Sequence, residues 1–165
     1  MYMMLYKLIG AVILMAASLI YGRQKVSEER RRLRLTEALC DLVKQVLDHI
    51  EHRLKPLPEI FRDYRNSELE ACGFLEAVRG RGLREAWEKH GGCFRGLDGR
   101  MMTQISAFCL EIGRGYREDE VELCTFTLKQ LQEECTRLKN DAKNREKLYR
   151  TIPPLMAMSA VLVLL

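Results

Sequence analysis

Residues 118–150 read EDEVELCTFTLKQLQEECTRLKNDAKNREKLYR. Within them Val121, Cys124, Leu128, Leu131, Cys135, Leu138 and Ala142 recur at alternating steps of three and four. That spacing holds apolar side chains on one stripe of an α-helix, in the pattern of a heptad seam. Glu118, Asp119, Glu120 and Glu122 crowd the start, and Lys143, Arg145, Lys147 and Arg150 the end, as the helix dipole favours. A helix of this length runs about 50 Å, longer than an ordinary globular helix and suited to a long hairpin in a bundle. A second stripe lies upstream, where Leu39, Val43, Val46, Ile50 and Leu54 mark one face of a helix over Ser27–Leu54, ended by Pro56 and Pro58. The two stripes predict an antiparallel pair within the chain. An intermolecular coiled coil is the competing arrangement.

Shorter helices fill the interval. No proline occurs between Pro58 and Pro153, and no strand-like alternation is present. The pattern predicts a helix over Glu59–Tyr64 and another over Ser67–Val78, with Leu69, Cys72, Leu75 and Val78 inward. Gly80, Gly82, Gly91, Gly92, Gly96 and Gly99 then punctuate a short helix around Leu83–Lys89 and a loop after it. Asp98 is placed to cap a helix with Met101, Ile105, Phe108 and Ile112 as its stripe, stopped by Gly113 and Gly115. The fold class is therefore all-α, an antiparallel bundle of about six helices, two of them long.

Of 165 residues, 30% are charged and 47% hydrophobic, which excludes a disordered tail and a polytopic membrane protein. Net charge is only +4, so nucleic acid is not an expected partner. The ends differ from the middle. Residues 1–22 carry one charge, Lys7, and Leu8–Tyr21 reads LIGAVILMAASLIY. Tyr2–Tyr21 as a helix spans about 30 Å, the depth of a bilayer core. Lys7, Tyr21 and Arg23 sit at the expected membrane interfaces. A cleaved signal peptide, with Ala16 and Ser18 before the cut, is the rival reading. At the other end Ile152–Leu165 reads IPPLMAMSAVLVLL, uncharged and about 21 Å long as a helix. Pro153 and Pro154 are expected to break or restart the helix before it, and a tail buried on the domain is the alternative to membrane insertion. Arg23–Arg34 and Arg137–Arg150 each hold six basic and two acidic residues. Both basic flanks face the middle, which predicts an anchor at 1–22, a cytoplasmic bundle at 23–150, and a hydrophobic, short membrane segment at 151–165.

Chemistry is sparse. Cys40, Cys72, Cys93, Cys109, Cys124 and Cys135 contain no C-x-x-C pair, so they read as reduced core residues rather than a zinc site. An oxidised framework would accompany the signal-peptide reading. His49 and His52 lack H-E-x-x-H spacing, no phosphate-binding glycine motif is present, and no nucleophile, base and orienter converge. No catalytic, cofactor-binding or metal residues, and no small-molecule substrate, are expected. Arg79–Arg100 is basic, with six basic and three acidic residues and Trp87, the sole tryptophan. The stretch suits RNA or anionic lipid headgroups and equally an acidic protein partner; read as an exposed loop, it offers Arg81, Arg84, Arg95 and Arg100 to the last of these. A merely solvated loop is the rival, with the acidic start of the last helix as the other docking candidate. Trp87 reads as a core anchor.

KLIGAVIL (7–14), RRLRLTEALCDLVKQVLDHIEHRLKPLPEIF (31–61) with Pro56 and Leu57, REAWEKH (84–90) with Ala86 and Trp87, ISAFCLEIGRG (105–115) with Phe108, Ile112 and Gly113, and AKNREKLYR (142–150) before the apolar tail together resemble the stage III sporulation protein AB family of endospore-forming bacteria. Cys109, Tyr116, Glu120, His49, His52 and the Pro153–Pro154 pair depart from its pattern. The resemblance implies a membrane-anchored bundle similar to the cytoplasmic F domain of type II secretion and type IV pilus platforms. It implies a non-enzymatic platform subunit of a secretion-like sporulation channel in the mother cell membrane. Its implied partners are the complex's ATPase, stage III sporulation protein AA, and other channel subunits. A generic anchored coiled-coil adaptor and a secreted disulfide-linked helical protein are the other classes open to this sequence.

Overall fold

The computed structural model of the chain describes residues 2–53 and 56–164, except the side chains of 2–9, 11, 14, 53, 145–150, 152–154, 156–158 and 160–164. Among the described residues there are seven α-helices and no strand. These are α1 (Tyr2–Asp48), α2 (Leu57–Asp63), α3 (Ser67–Ala71), α4 (Phe74–Arg81), α5 (Leu83–His90), α6 (Gly99–Glu111) and α7 (Arg117–Leu164). The chain divides into two compact units, one of residues 32–137 and one of residues 1–31 with 138–165.

In the 32–137 unit the two predicted stripes go inward. Leu39, Val43, Val46 and Ile50 of the first are buried, while Leu54 lies outside the described residues. Cys124, Leu131 and Cys135 of the second are buried, and Val121 and Leu128 are half-buried. Cys40 on α1 touches Cys135 on α7, so the helices lie side by side and the seam is filled by the chain itself. Each fully buried leucine or valine contributes roughly 1.5–3 kcal/mol of transfer free energy.

The end of α1 differs from expectation. The α-helix stops at Asp48 and widens to a π turn over His49–Arg53. A helix end leaves carbonyls without partners. The guanidinium of Arg117, in the first turn of α7, supplies them: Nε donates to the Ile50 carbonyl at 3.0 Å and Nη2 to that of Glu51. Pro58, expected only to end the first helix, also stands in the opening turn of α2, where its missing N–H costs nothing.

The single helix expected over Ser67–Val78 is two. Asn66 caps α3, its Oδ1 accepting from the N–H groups of Glu68 and Leu69 at 3.0 and 3.2 Å. At Gly73 the backbone turns left-handed, with φ of 73°, a conformation other residues adopt at a cost. The apolar spacing runs on through the break, so periodicity alone hides it.

The stretch expected to be a loop is largely helical. α5 is followed by a 3-10 turn, Gly91–Phe94, and then by α6. Leu83, Ala86, Phe94, Leu97 and Met101 enter the core, and the glycines mark joints between short helices. Phe94 meets Phe74 edge-on at 5.2 Å and stacks under Trp87 at 5.8 Å. Asp98 precedes α6, as expected, but its side chain makes no cap bond. Gly113 ends the turn after α6 with φ of 85°.

In the other unit, α7 continues through Pro153 and Pro154 to Leu164, so the expected break does not occur. Proline fits helical φ; its cost is the lost N–H bond and a clash with the preceding turn. The expected anchor segment and the helix expected after it are likewise one element, α1. Among the described residues no helix is long and apolar enough to cross a membrane. The apolar runs Leu8–Tyr21 and Ile152–Leu165 both include side chains outside the described set.

Candidate functional site

The basic stretch splits into arginines that hold the fold and arginines that do not. Arg79, on α4, reaches back to α2 and α3. Its Nε donates to the Phe61 carbonyl at 3.2 Å, and its Nη2 to the Tyr64 carbonyl at 2.6 Å and to Glu70 at 2.8 Å. It therefore caps the C-terminal turn of α2 and ties three helices. Arg34 on α1 pairs with Glu68 on α3 at 2.7 Å.

The four predicted docking arginines are placed otherwise. Arg81 is the last residue of α4 and Arg84 the second of α5, so they flank Gly82 at one corner. Arg95 follows the 3-10 turn and Arg100 is the second residue of α6, so they flank Leu97 and Asp98 at another. All four are exposed. Arg84 pairs with Glu88 one turn on at 3.4 Å, with both side chains more than half exposed; such a pair contributes little to folding. Arg81, Arg95 and Arg100 form no ion pair among the described residues. Both corners are rigid, because Leu83, Phe94, Leu97 and Met101 beside them are buried.

A fifth cation joins this surface. Arg32 of α1 lies over the loop at Gly96, where a Cβ would stand 3.1 Å from its Nε. Nothing in the spacing of the sequence links these positions, 64 residues apart, so pattern reasoning missed Arg32. It also missed Arg79 and Arg117, whose carbonyl-capping roles exist only once the helices are assembled.

Of the residues expected at a membrane interface, Tyr21 and Arg23 are exposed on α1 and the Lys7 side chain lies outside the described set. Among the described residues the large exposed apolar side chains are Val12, Ile13, Met15, Leu19, Ile20, Tyr21, Tyr116, Phe126 and Leu155. All but Tyr116 and Phe126 lie in the terminal segments.

The six cysteines are free thiols. Burial raises Cys109, and burial followed by the carboxylates of Glu120 and Glu51 pushes Cys124 up to about 12. Such thiols are poor nucleophiles and poor metal ligands. No group of three or more potential ligands gathers among the described residues. Trp87 is half-buried on the core, stacked on Phe94. A cavity of about 280 Å³ opens where α6 turns into α7, lined by Glu111, Arg114, Gly115, Asp119, Glu120 and Leu123. It contains no nucleophile with an adjacent base.

The family model described as Stage III sporulation protein AB matches residues 7–165 of the chain. No curated protein and no solved structure matches it.

Proposed function

The chain belongs to the stage III sporulation protein AB family and serves sporulation; from that premise we propose that it is a non-enzymatic scaffold, held at the bacterial cell membrane by its ends and docking a cytoplasmic partner. In the proposal, residues 1–22 anchor the chain and 151–165 form a second, short membrane segment. The bundle faces the mother-cell cytoplasm, and the partner is the ATPase of the same secretion-like channel complex, stage III sporulation protein AA. Other channel subunits would assemble on the same platform.

The observation that carries this reading is the division of exposed surface. Large apolar side chains stand exposed on several sides of α1 between Val12 and Tyr21. That is unfavourable in water and favourable in lipid. The bundle instead exposes Arg81, Arg95 and Arg100 without an ion pair among the described residues, on corners flanked by buried neighbours. Fixed, unpaired charge on a scaffold steers an oppositely charged partner more than it stabilises the fold.

The test is capture of the ATPase on the full-length chain in detergent. Changing Arg81, Arg84, Arg95 and Arg100 to glutamate should leave helical circular dichroism intact and abolish capture at low salt. Adding Arg32→Glu to any partial variant should deepen the loss. Unchanged capture would reject the arginine surface as the docking site and move attention to Glu118–Glu122.

A further inference from the structure

Cys40 on α1 and Cys135 on α7 bring their Sγ atoms to 3.7 Å across 95 residues of chain. Cys72 and Cys93 also lie beside one another, but each of those thiols donates to a backbone carbonyl. Cys93 donates to the Cys72 carbonyl at 3.4 Å and Cys72 to the Leu69 carbonyl at 3.3 Å, while Cys109 and Cys124 are buried. We propose that Cys40 and Cys135 form an oxidation site, at which a small disulfide such as oxidised glutathione withdraws two electrons and closes a covalent link between α1 and α7.

The order of events follows from exposure. Cys40 is half-buried and Cys135 is buried, so the small disulfide meets Cys40 first. The Cys40 thiolate attacks one sulfur of the small disulfide. A mixed disulfide forms on Cys40, the small S–S bond breaks, and one small thiol leaves with the proton. The Cys135 thiolate then attacks the Cys40 sulfur and expels the second small thiol. Two protein thiols become one disulfide, and one small disulfide becomes two thiols. The two sulfurs must approach by about 1.7 Å to reach bonding distance.

The surroundings make this a slow site. The contact with Cys135 raises the Cys40 thiol most, then burial, then the carboxylates of Asp41 and Glu37 on its own helix. Thiolate is therefore scarce near neutral pH, and exchange accelerates as pH rises. The pair records sustained oxidising conditions and ignores brief ones. Once closed, the link holds α1 against α7 inside the 32–137 unit.

The experiment treats the full-length chain in detergent with oxidised glutathione for hours at about pH 9, where the small thiolate fraction of the raised Cys40 is larger than at neutral pH, and digests it with trypsin without reduction. The expected product joins LTEALCDLVK (35–44) to QLQEECTR (130–137), with two of the six thiols lost. Cys72→Ser should leave that product unchanged, Cys40→Ser should remove it, and Cys135→Ser should leave one glutathione on Cys40. Six surviving thiols, or a link that joins Cys72 to Cys93 instead, would overturn the proposal. The wild-type digest decides the matter even where a serine variant folds poorly.

Discussion

Replacing Arg79 by methionine keeps most of the aliphatic stem and deletes the donors. The Phe61 and Tyr64 carbonyls belong to the last turn of α2 and its cap, where backbone acceptors lack helical partners. A charged donor to such a group is worth roughly 1.5–3 kcal/mol when fully buried. The Arg79 side chain is 26% exposed, so water reaches the site and about 1 kcal/mol for each of the two bonds is the sounder figure. The ion pair with Glu70, solvent-accessible on both sides, adds at most about 1 kcal/mol. The expected loss is about 2–3 kcal/mol, or a fall of roughly 1–2 M in the urea midpoint for a domain of this size. Trp87 is the sole tryptophan and is stacked on Phe94, so its fluorescence reports the melting of this unit in the full-length chain. Arg81→Met, two residues on, exposed and without an ion pair among the described residues, is the control and should change stability by no more than about 0.5 kcal/mol. Equal midpoints for the two variants would refute the capping role and the separation of structural from free arginines.

Leu131→Ala should cost about 2–5 kcal/mol in the same assay, because its side chain is fully buried; Leu128→Ala should cost less, and exposed Glu133→Gln no more than about 0.5 kcal/mol. Gly113→Ala should cost about 1–3 kcal/mol, since the left-handed backbone penalises a Cβ and that atom would meet Leu57 Cδ1 at 2.8 Å; a melt as stable as wild type would contradict the assigned turn. The Cys124 thiol is raised from 9.0 to about 12 in the folded chain, so the unfolded chain ionises first. Stability from this group is complete below pH 9 and is lost as pH rises toward 12, and urea midpoints measured across that window should fall less steeply for Cys124→Ala than for wild type.

The all-helical class was legible because a 3.6-residue period survives over long stretches. Leu39, Val43, Val46, Cys124, Leu131 and Cys135 lie where that period puts them. What periodicity could not reveal are events that leave the stripe intact. The left-handed turn at Gly73 interrupts the backbone between α3 and α4 while Leu69, Leu75 and Val78 stay inward. The proline pair at 153–154 predicts a break or restart, yet α7 runs through it, because local propensity is a weak prior within a long helix. Glycine density was read as an exposed loop, although Phe94 and Leu97 between the glycines are core residues. The candidate arginines were legible as charge. Their division into capping Arg79, exposed Arg81, Arg95 and Arg100, and the added Arg32 was not, since it depends on which carbonyls and loops assembly brings within reach.

The claim beneath the whole functional reading is that the chain is held in a membrane by its apolar ends. Alkaline carbonate extraction of cells expressing the full-length chain tests it most directly, with a chain lacking residues 1–22 and 151–165 as the comparison. The full chain should stay in the membrane pellet and the shortened chain should pass into the supernatant with its helical content retained. A full-length chain released by carbonate would contradict the anchor and the scaffold built upon it.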